Sequence, residues 1–169
     1  MTSSALLTGS VLKYGDSVDT DVIIPARYCT RYDMEYLALH ALEDLDATFV
    51  KRVRPGDFIV AGANFGCGSS RENAPLAIKG AGVAGVIAKS FARIFFRNSI
   101  NIGLPIFICP EAVEGTQEGD SLRLDPANGK ISNLTRSLEW QAASLPPEIG
   151  EIISSGGLEG YVRRRLGLK

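Results

Sequence analysis

Several things are missing from this chain, and each absence removes a class of function. No stretch approaches the ~20 consecutive apolar residues that a bilayer-spanning helix requires. The first residues, from Met1 to Gly9, carry no basic segment followed by a long apolar one, so no secretory signal is read there. A dominant charge sign is also absent: the formal net charge is −1, which argues against a nucleic-acid footprint or a polybasic membrane patch. Cysteine is scarce. Cys29, Cys67 and Cys109 are far apart, odd in number and without a Cys-x-x-Cys pair. They form neither a disulfide framework nor the ligand spacing of an iron–sulfur cluster, and reduced thiols of a cytoplasmic protein are the expectation. His40 is the only histidine. On a helical wheel it falls opposite the apolar stripe, beside Tyr36 and Glu43, and with no metal-ligand neighbour it reads as solvent-facing and idle.

What is present is an ordinary globular composition of 169 residues, 45% hydrophobic and 22% charged, which suits one domain over 1–169. Alternation predicts a strand over 5–14, then an acidic turn over 15–21 and an apolar Val22-Ile23-Ile24 that Pro25 redirects. Met34, Leu37, Ala38, Ala41, Leu42 and Leu45 repeat at helical spacing, with Asp33 as N-cap. Phe58-Ile59-Val60-Ala61 reads as a buried strand, and a helix ending at Ala81 is expected to start near Pro75. A second strand over 83–88 leads to a helix through Asn98 capped by Ser90. Gly103-Leu104-Pro105 ends it, before a third strand over 106–109. Strands alternating with helices on short links make an α/β fold. After Glu111, Gly119-Asp120 and Pro126-Ala127-Asn128-Gly129 suggest a small β-hairpin layer. Pro146-Pro147 then introduces C-terminal helices over 148–155 and 158–166, the second ending in Arg163-Arg164-Arg165, which complement its dipole.

The most informative stretch is 62–73, a glycine-spaced polar run between a strand and a helix. Such a turn aims unpaired backbone N–H groups at one point, which favours an anion. Gly66 and Gly68 shape it, Ser69 and Ser70 offer small hydroxyls, and Arg71 offers a planar fork for a carboxylate or phosphate. The known nucleotide and hydrolase signatures do not fit. No lysine precedes Ser69 as a phosphate loop needs, Arg71 stands where a dinucleotide fingerprint needs a small residue, and neither serine is flanked as a hydrolase elbow requires. On spacing alone, a structural turn with capping serines and a surface arginine remains open. Asp19 and Asp21 read equally as turn formers or as groups at a site edge.

Three blocks resemble one family. Asn64-Phe65-Gly66-Cys67-Gly68-Ser69-Ser70-Arg71-Glu72 is similar to the signature of the small subunit, or swivelling domain, of the aconitase superfamily. Asp19-Thr20-Asp21-Val22-Ile23-Ile24-Pro25 resembles a second motif of that family. The segment from Lys89 to Asn98, with Gly103-Leu104-Pro105, resembles a third. The blocks follow the family's order, and the resemblance runs from about Leu12 to about Ile108. The closest members are the small subunits of 3-isopropylmalate dehydratase and of homoaconitase.

That resemblance implies an α/β swivelling β/β/α domain and a hydro-lyase that moves a hydroxyl on a hydroxy di- or tricarboxylic acid by dehydration and rehydration. It implies a large catalytic subunit as partner, carrying a four-iron four-sulfur cluster, with no cofactor or metal on this chain. By family position Ser69 would be the catalytic base, Ser70 and Arg71 would hold a substrate carboxylate, and Asp21 with Thr20 would line the site edge. Tyr28, Cys29, Thr30 and Arg31 would form the loop that faces the variable end of the substrate. Cys29-Thr30-Arg31-Tyr32 matches neither an isopropylmalate nor a homoaconitate pattern, so a methyl-substituted malate is a further alternative. A stand-alone carboxylate-binding or regulatory module is the alternative of another class. Asn73 replaces the histidine of many relatives and cannot titrate. Arg93 and Arg97 are expected to salt-bridge or cap, with substrate binding as the alternative.

Overall fold

The computed structural model describes residues 5–168. β1 (Leu7–Lys13) is followed by the short helix α1 (Thr20–Ile23), a 3-10 turn at Ala26–Tyr28, α2 (Met34–Ala38) and α3 (Phe49–Arg52). β2 (Phe58–Ala61), α4 (Asn73–Gly80), β3 (Gly85–Ala88), α5 (Arg93–Ile102) and β4 (Ile106–Ile108) supply the strand–helix alternation. α6 (Pro110–Gly115), the strands β5 (Ser121–Asp125), β6 (Lys130–Asn133) and β7 (Leu138–Gln141), and the helices α7 (Pro147–Ser154) and α8 (Leu158–Arg165) complete the chain. The strands form one seven-stranded sheet in the order β4-β3-β2-β1-β5-β6-β7. Pairing is parallel from β1 through β4 and antiparallel from β1 through β5 and β6 to β7. The expected hairpin is β5–β6. It joins the main sheet through β1, and β7 adds a strand that the sequence did not signal.

β2 and β3 are apolar at every position because both their faces are covered. Side chains alternate across a strand, so Ile59 and Ala61 enter the core under α4 and α5, while Phe58 and Val60 enter the one beneath α6. Val86 and Ala88 repeat the first pattern and Ile87 the second. Among the described residues no helix is long and apolar enough to cross a membrane.

Local expectations are corrected in three places. The helix predicted from Asp33 to Leu45 ends at Ala38; beyond it the backbone closes i→i−3 bonds and Leu42 takes φ 56°. Leu42 turns because its N–H donates to the Ile23 carbonyl (2.8 Å), which brings Leu37, Ala41 and Leu42 into the core and leaves Met34 and Leu45 exposed. α4 begins at Asn73, so Pro75 lies in the first turn, where the missing N–H has no intrahelical partner to lose. Glu72 precedes α4 as its N-cap and makes no side-chain capping bond, so the capping-box spacing of Ser69 and Glu72 goes unused. Ser90 does not cap α5, which starts after Ala92; its hydroxyl instead accepts the Asn64 N–H (2.8 Å). Gly103, in the left-handed region at φ 71°, ends α5 as its position predicts.

Candidate active site

Three loops meet at the carboxyl ends of the parallel strands β1, β2 and β3, where α/β sheets place their ligands. The loop after β2 carries the glycine-rich turn, and both neighbours hold it through backbone bonds. On the β1 side, Gly66 N–H donates to Val18 (2.8 Å), Thr20 N–H donates to Cys67 (2.7 Å), and Asp19 pairs with Cys67 as an isolated bridge. On the β3 side, Phe65 N–H donates to Ser90 (3.0 Å) and Ala92 N–H donates back to Phe65 (2.9 Å). The three sequence blocks are therefore three walls of one construction.

The two glycines permit it. Gly66 adopts φ 78° and Gly68 φ 91°, a region that side chains disfavour. A Cβ on Gly66 would stand 2.1 Å from Phe95 Cγ, and one on Gly68 would stand 2.5 Å from both carboxylate oxygens of Asp19. The chain thus packs its backbone against the ring of α5 and the cap of α1. Among the described residues, the N–H groups of Gly68, Ser69, Ser70 and Arg71 donate to nothing, and the hydroxyls of Ser69 and Ser70 are exposed and unpaired. Amides without an internal partner beside two hydroxyls are the kind of groups that an oxyanion would pair with.

The remaining predicted residues fall into place unequally. Arg71 is mostly buried, and its Nη1 pairs with Asp21 Oδ1 and donates to the Ile24 carbonyl (3.4 Å). Among the described residues its Nε and Nη2 have no partner, so the guanidinium is oriented by Asp21 with one edge open. Asp19 is the N-cap of α1 and accepts the Asp21 N–H (2.7 Å), a turn former that aims Asp21. Thr20 departs from its expected place on the ligand-facing edge: it is buried, and its hydroxyl donates to the Ser69 carbonyl (3.0 Å). It supports the turn from below. Asn73 opens α4 and makes no side-chain hydrogen bond among the described residues. Arg93 and Arg97 are exposed and make no hydrogen bond or ion pair among the described residues, so the expected bridging or capping role is absent. Burial, then the Asp19 carboxylate, raises the Cys67 thiol above its usual range, which makes it a poor thiolate.

The loop over 29–32 begins where the 3-10 turn ends at Tyr28. Thr30 and Arg31 are exposed, Cys29 is half-buried, and the Arg31 guanidinium lies 5.0 Å from the Tyr36 ring centroid. Burial, then the negative charge of Glu72 at the start of α4, raises the Tyr32 phenol above its usual range.

His40 is neither solvent-facing nor idle. Its ring stacks on Tyr28 with centroids 3.6 Å apart and planes 7° apart, and Nδ1 lies 2.9 Å from Glu43 Oε2. The wheel named its neighbours, Tyr36 and Glu43, but gave no sign of Tyr28, which arrives from another element. Only the edge-on contact of Tyr36 with His40 was legible, from their four-residue spacing.

The cysteines do not assemble. Cys109 lies in the core beneath α6, away from Cys29 and Cys67, and among the described residues no group of three or more His, Cys, Asp or Glu could hold a metal ion. The side chains of this chain therefore do not fit an iron–sulfur cluster.

The fold and the turn define a class first. Residues 28–110 match the family described as the Aconitase C-terminal domain. Over nearly the whole chain the relatives are more particular. The 3-isopropylmalate dehydratase small subunit of Clostridium beijerinckii is 59% identical, with 93% of this chain and 98% of that one aligned. Its counterpart from Thermodesulfovibrio yellowstonii is 52% identical over 96% and 97%. The crystal structure of 3-isopropylmalate dehydratase (leuD) from Methanocaldococcus jannaschii superposes with TM-score 0.91 at 42% identity, covering 96% of each chain. The chain belongs to the 3-isopropylmalate dehydratase small-subunit family of the aconitase superfamily.

Proposed function

We propose that this chain is the small subunit of a cytoplasmic 3-isopropylmalate dehydratase, acting with a large subunit to interconvert 2- and 3-isopropylmalate in leucine biosynthesis. The observation that carries the reading is the turn itself: free amides at Gly68–Arg71, the open Ser69 hydroxyl and a guanidinium with a free edge, in a chain 52–59% identical to such subunits. Removing a carbon-bound proton next to a carboxylate needs a base held against that carbon. Serine is a weak base in water, but an alkoxide at Ser69 is stabilised by unpaired amides and a nearby cation. Ser69 takes the proton from carbon and returns it on the reverse path. Ser70 donates to a substrate carboxylate, and Arg71, aimed by Asp21, grips it. The iron–sulfur cluster of the family belongs to the large subunit, which closes the other half of the site.

Arg31 keeps a second substrate in view. It makes no ion pair among the described residues, so a distal carboxylate, as in homoaconitate, has a partner available. The test is anaerobic co-purification with the large subunit and assay of a panel of hydroxy acids. We expect turnover of isopropylmalate, and a fall in kcat of roughly 10²–10⁴ on Ser69→Ala with the complex intact. Full turnover by that variant would sink the assignment of the base.

A further inference from the structure

The loop over 29–32 has few bonds of its own, yet its base is tied down from several sides. Tyr28, the last residue of the 3-10 turn, stacks on His40, and its hydroxyl donates to Glu43 Oε1 (2.9 Å). The other oxygen of the same carboxylate faces His40 Nδ1. One carboxylate therefore holds both stacked rings. The hydrogen bonds from His40 and then Tyr28 keep the Glu43 carboxyl below its usual range, so it stays an acceptor. Arg27 adds a guanidinium 4.7 Å from the Tyr28 centroid and is itself anchored to Asp44 (2.6 Å). Tyr36 meets His40 edge-on at 5.3 Å and Tyr28 at 6.5 Å, and carries Arg31 over its own ring. The base of the loop and its most distinctive side chain thus rest on one aromatic cluster centred on His40.

We infer that His40, with Glu43, is a positioning residue that sets the conformation of the 29–32 loop and hence the discrimination among hydroxy acids differing at the end remote from the reacting carbon. The inference rests on the proposed function for its substrates, although the clamp is testable without them. Among the described residues, neither makes a hydrogen bond, ion pair or ring contact with the turn that carries Ser69. Losing a stack and a hydrogen bond frees Tyr28, and through Tyr36 and Arg31 it alters the surface that the variable end of the substrate meets.

The experiment has two arms. In the isolated chain, hydrogen–deuterium exchange is compared for wild type, His40→Ala and His40→Phe. We expect amides 29–32 to exchange faster in His40→Ala, on the order of three- to tenfold, with Phe keeping the stack and most of the protection. In the complex with the large subunit, the ratio of kcat/KM between isopropylmalate and homoaconitate is measured for the same variants. His40→Ala should shift that ratio by a similar factor, mainly through KM, with recovery in His40→Phe. Unchanged exchange and an unchanged ratio would overturn the inference. So would an equal fall in kcat on every substrate that His40→Phe does not rescue, since that is merely structural damage. If His40→Ala does not fold, Tyr28→Phe, which loses only the hydroxyl on Glu43, carries both readouts. A wild-type complex that turns over none of the acids would sink the functional reading, and the exchange arm would still decide whether the clamp exists.

Discussion

Gly66→Ala is the sharpest perturbation of the turn. Gly66 is buried at φ 78°, and the added Cβ would lie 2.1 Å from Phe95 Cγ and 2.4 Å from Phe95 Cβ. Phe95 cannot yield easily. It is 1% exposed, parallel to Phe91 at 6.1 Å and edge-on to Phe65 at 5.2 Å. The left-handed backbone costs an alanine about 1–2 kcal/mol, and overpacking a close-packed ring about 1–3 kcal/mol. Restricting the unfolded chain returns roughly 0.4–1 kcal/mol. The net loss is about 3 kcal/mol, or a fall in Tm of roughly 6–12 °C for a chain of this size. Urea unfolding of the isolated chain measures it, with the midpoint falling and m unchanged. Gly68→Ala is the control: φ is 91°, but the obstructing atoms are the free end of the Asp19 side chain, which can swing away. It should cost less stability while losing the cap on α1. A Gly66→Ala chain within about 1 kcal/mol of wild type, or a costlier Gly68→Ala, would refute the packing argument.

Two other predictions concern support and acid stability. Thr20→Val removes the hydroxyl under Ser69 with little change of shape. It should cost about 1 kcal/mol in urea unfolding and lower kcat of the complex more than it raises KM. Burial alone would raise the Asp46 carboxyl, yet hydrogen bonds from Thr48, Arg52 and Tyr14 outweigh it and hold the group well below the ordinary carboxylate range. A depressed folded value means stabilisation present above the unfolded value of about 3.9 and lost as pH falls below it. Asp46→Asn should therefore flatten the decline in stability below about pH 4, and an unchanged acid limb in a pH series of urea curves would count against the network.

The parts that sequence made legible are those governed by local rules. The apolar runs of β2 and β3 read as buried strands, the glycine-spaced run over 62–73 as a polar turn between a strand and a helix, and Gly103 as part of the stop that ends α5. Motif order alone placed the three blocks together. What the order could not say was which atoms each block commits. Arg71 and Asp21 share a bond, Thr20 turns inward to the Ser69 carbonyl, and Ser90 serves Asn64 instead of a helix, because each partner lies on another strand's loop. The misreading of His40 has the same origin. Helical spacing from Asp33 to Leu45 assumed that a periodic run stays helical, whereas the Leu42 N–H found the Ile23 carbonyl and bent the chain.

By itself, then, the sequence determined the strand–helix alternation and the position of the glycine-rich turn between β2 and α4, since these follow from residue type and spacing over a few positions. Tertiary structure alone decided which amides of the turn stay free, which side of Arg71 stays open and what holds the loop beside it. Those depend on contacts between segments far apart in the chain, such as Thr20 with Ser69 and Tyr28 with His40, and no short-range rule specifies them.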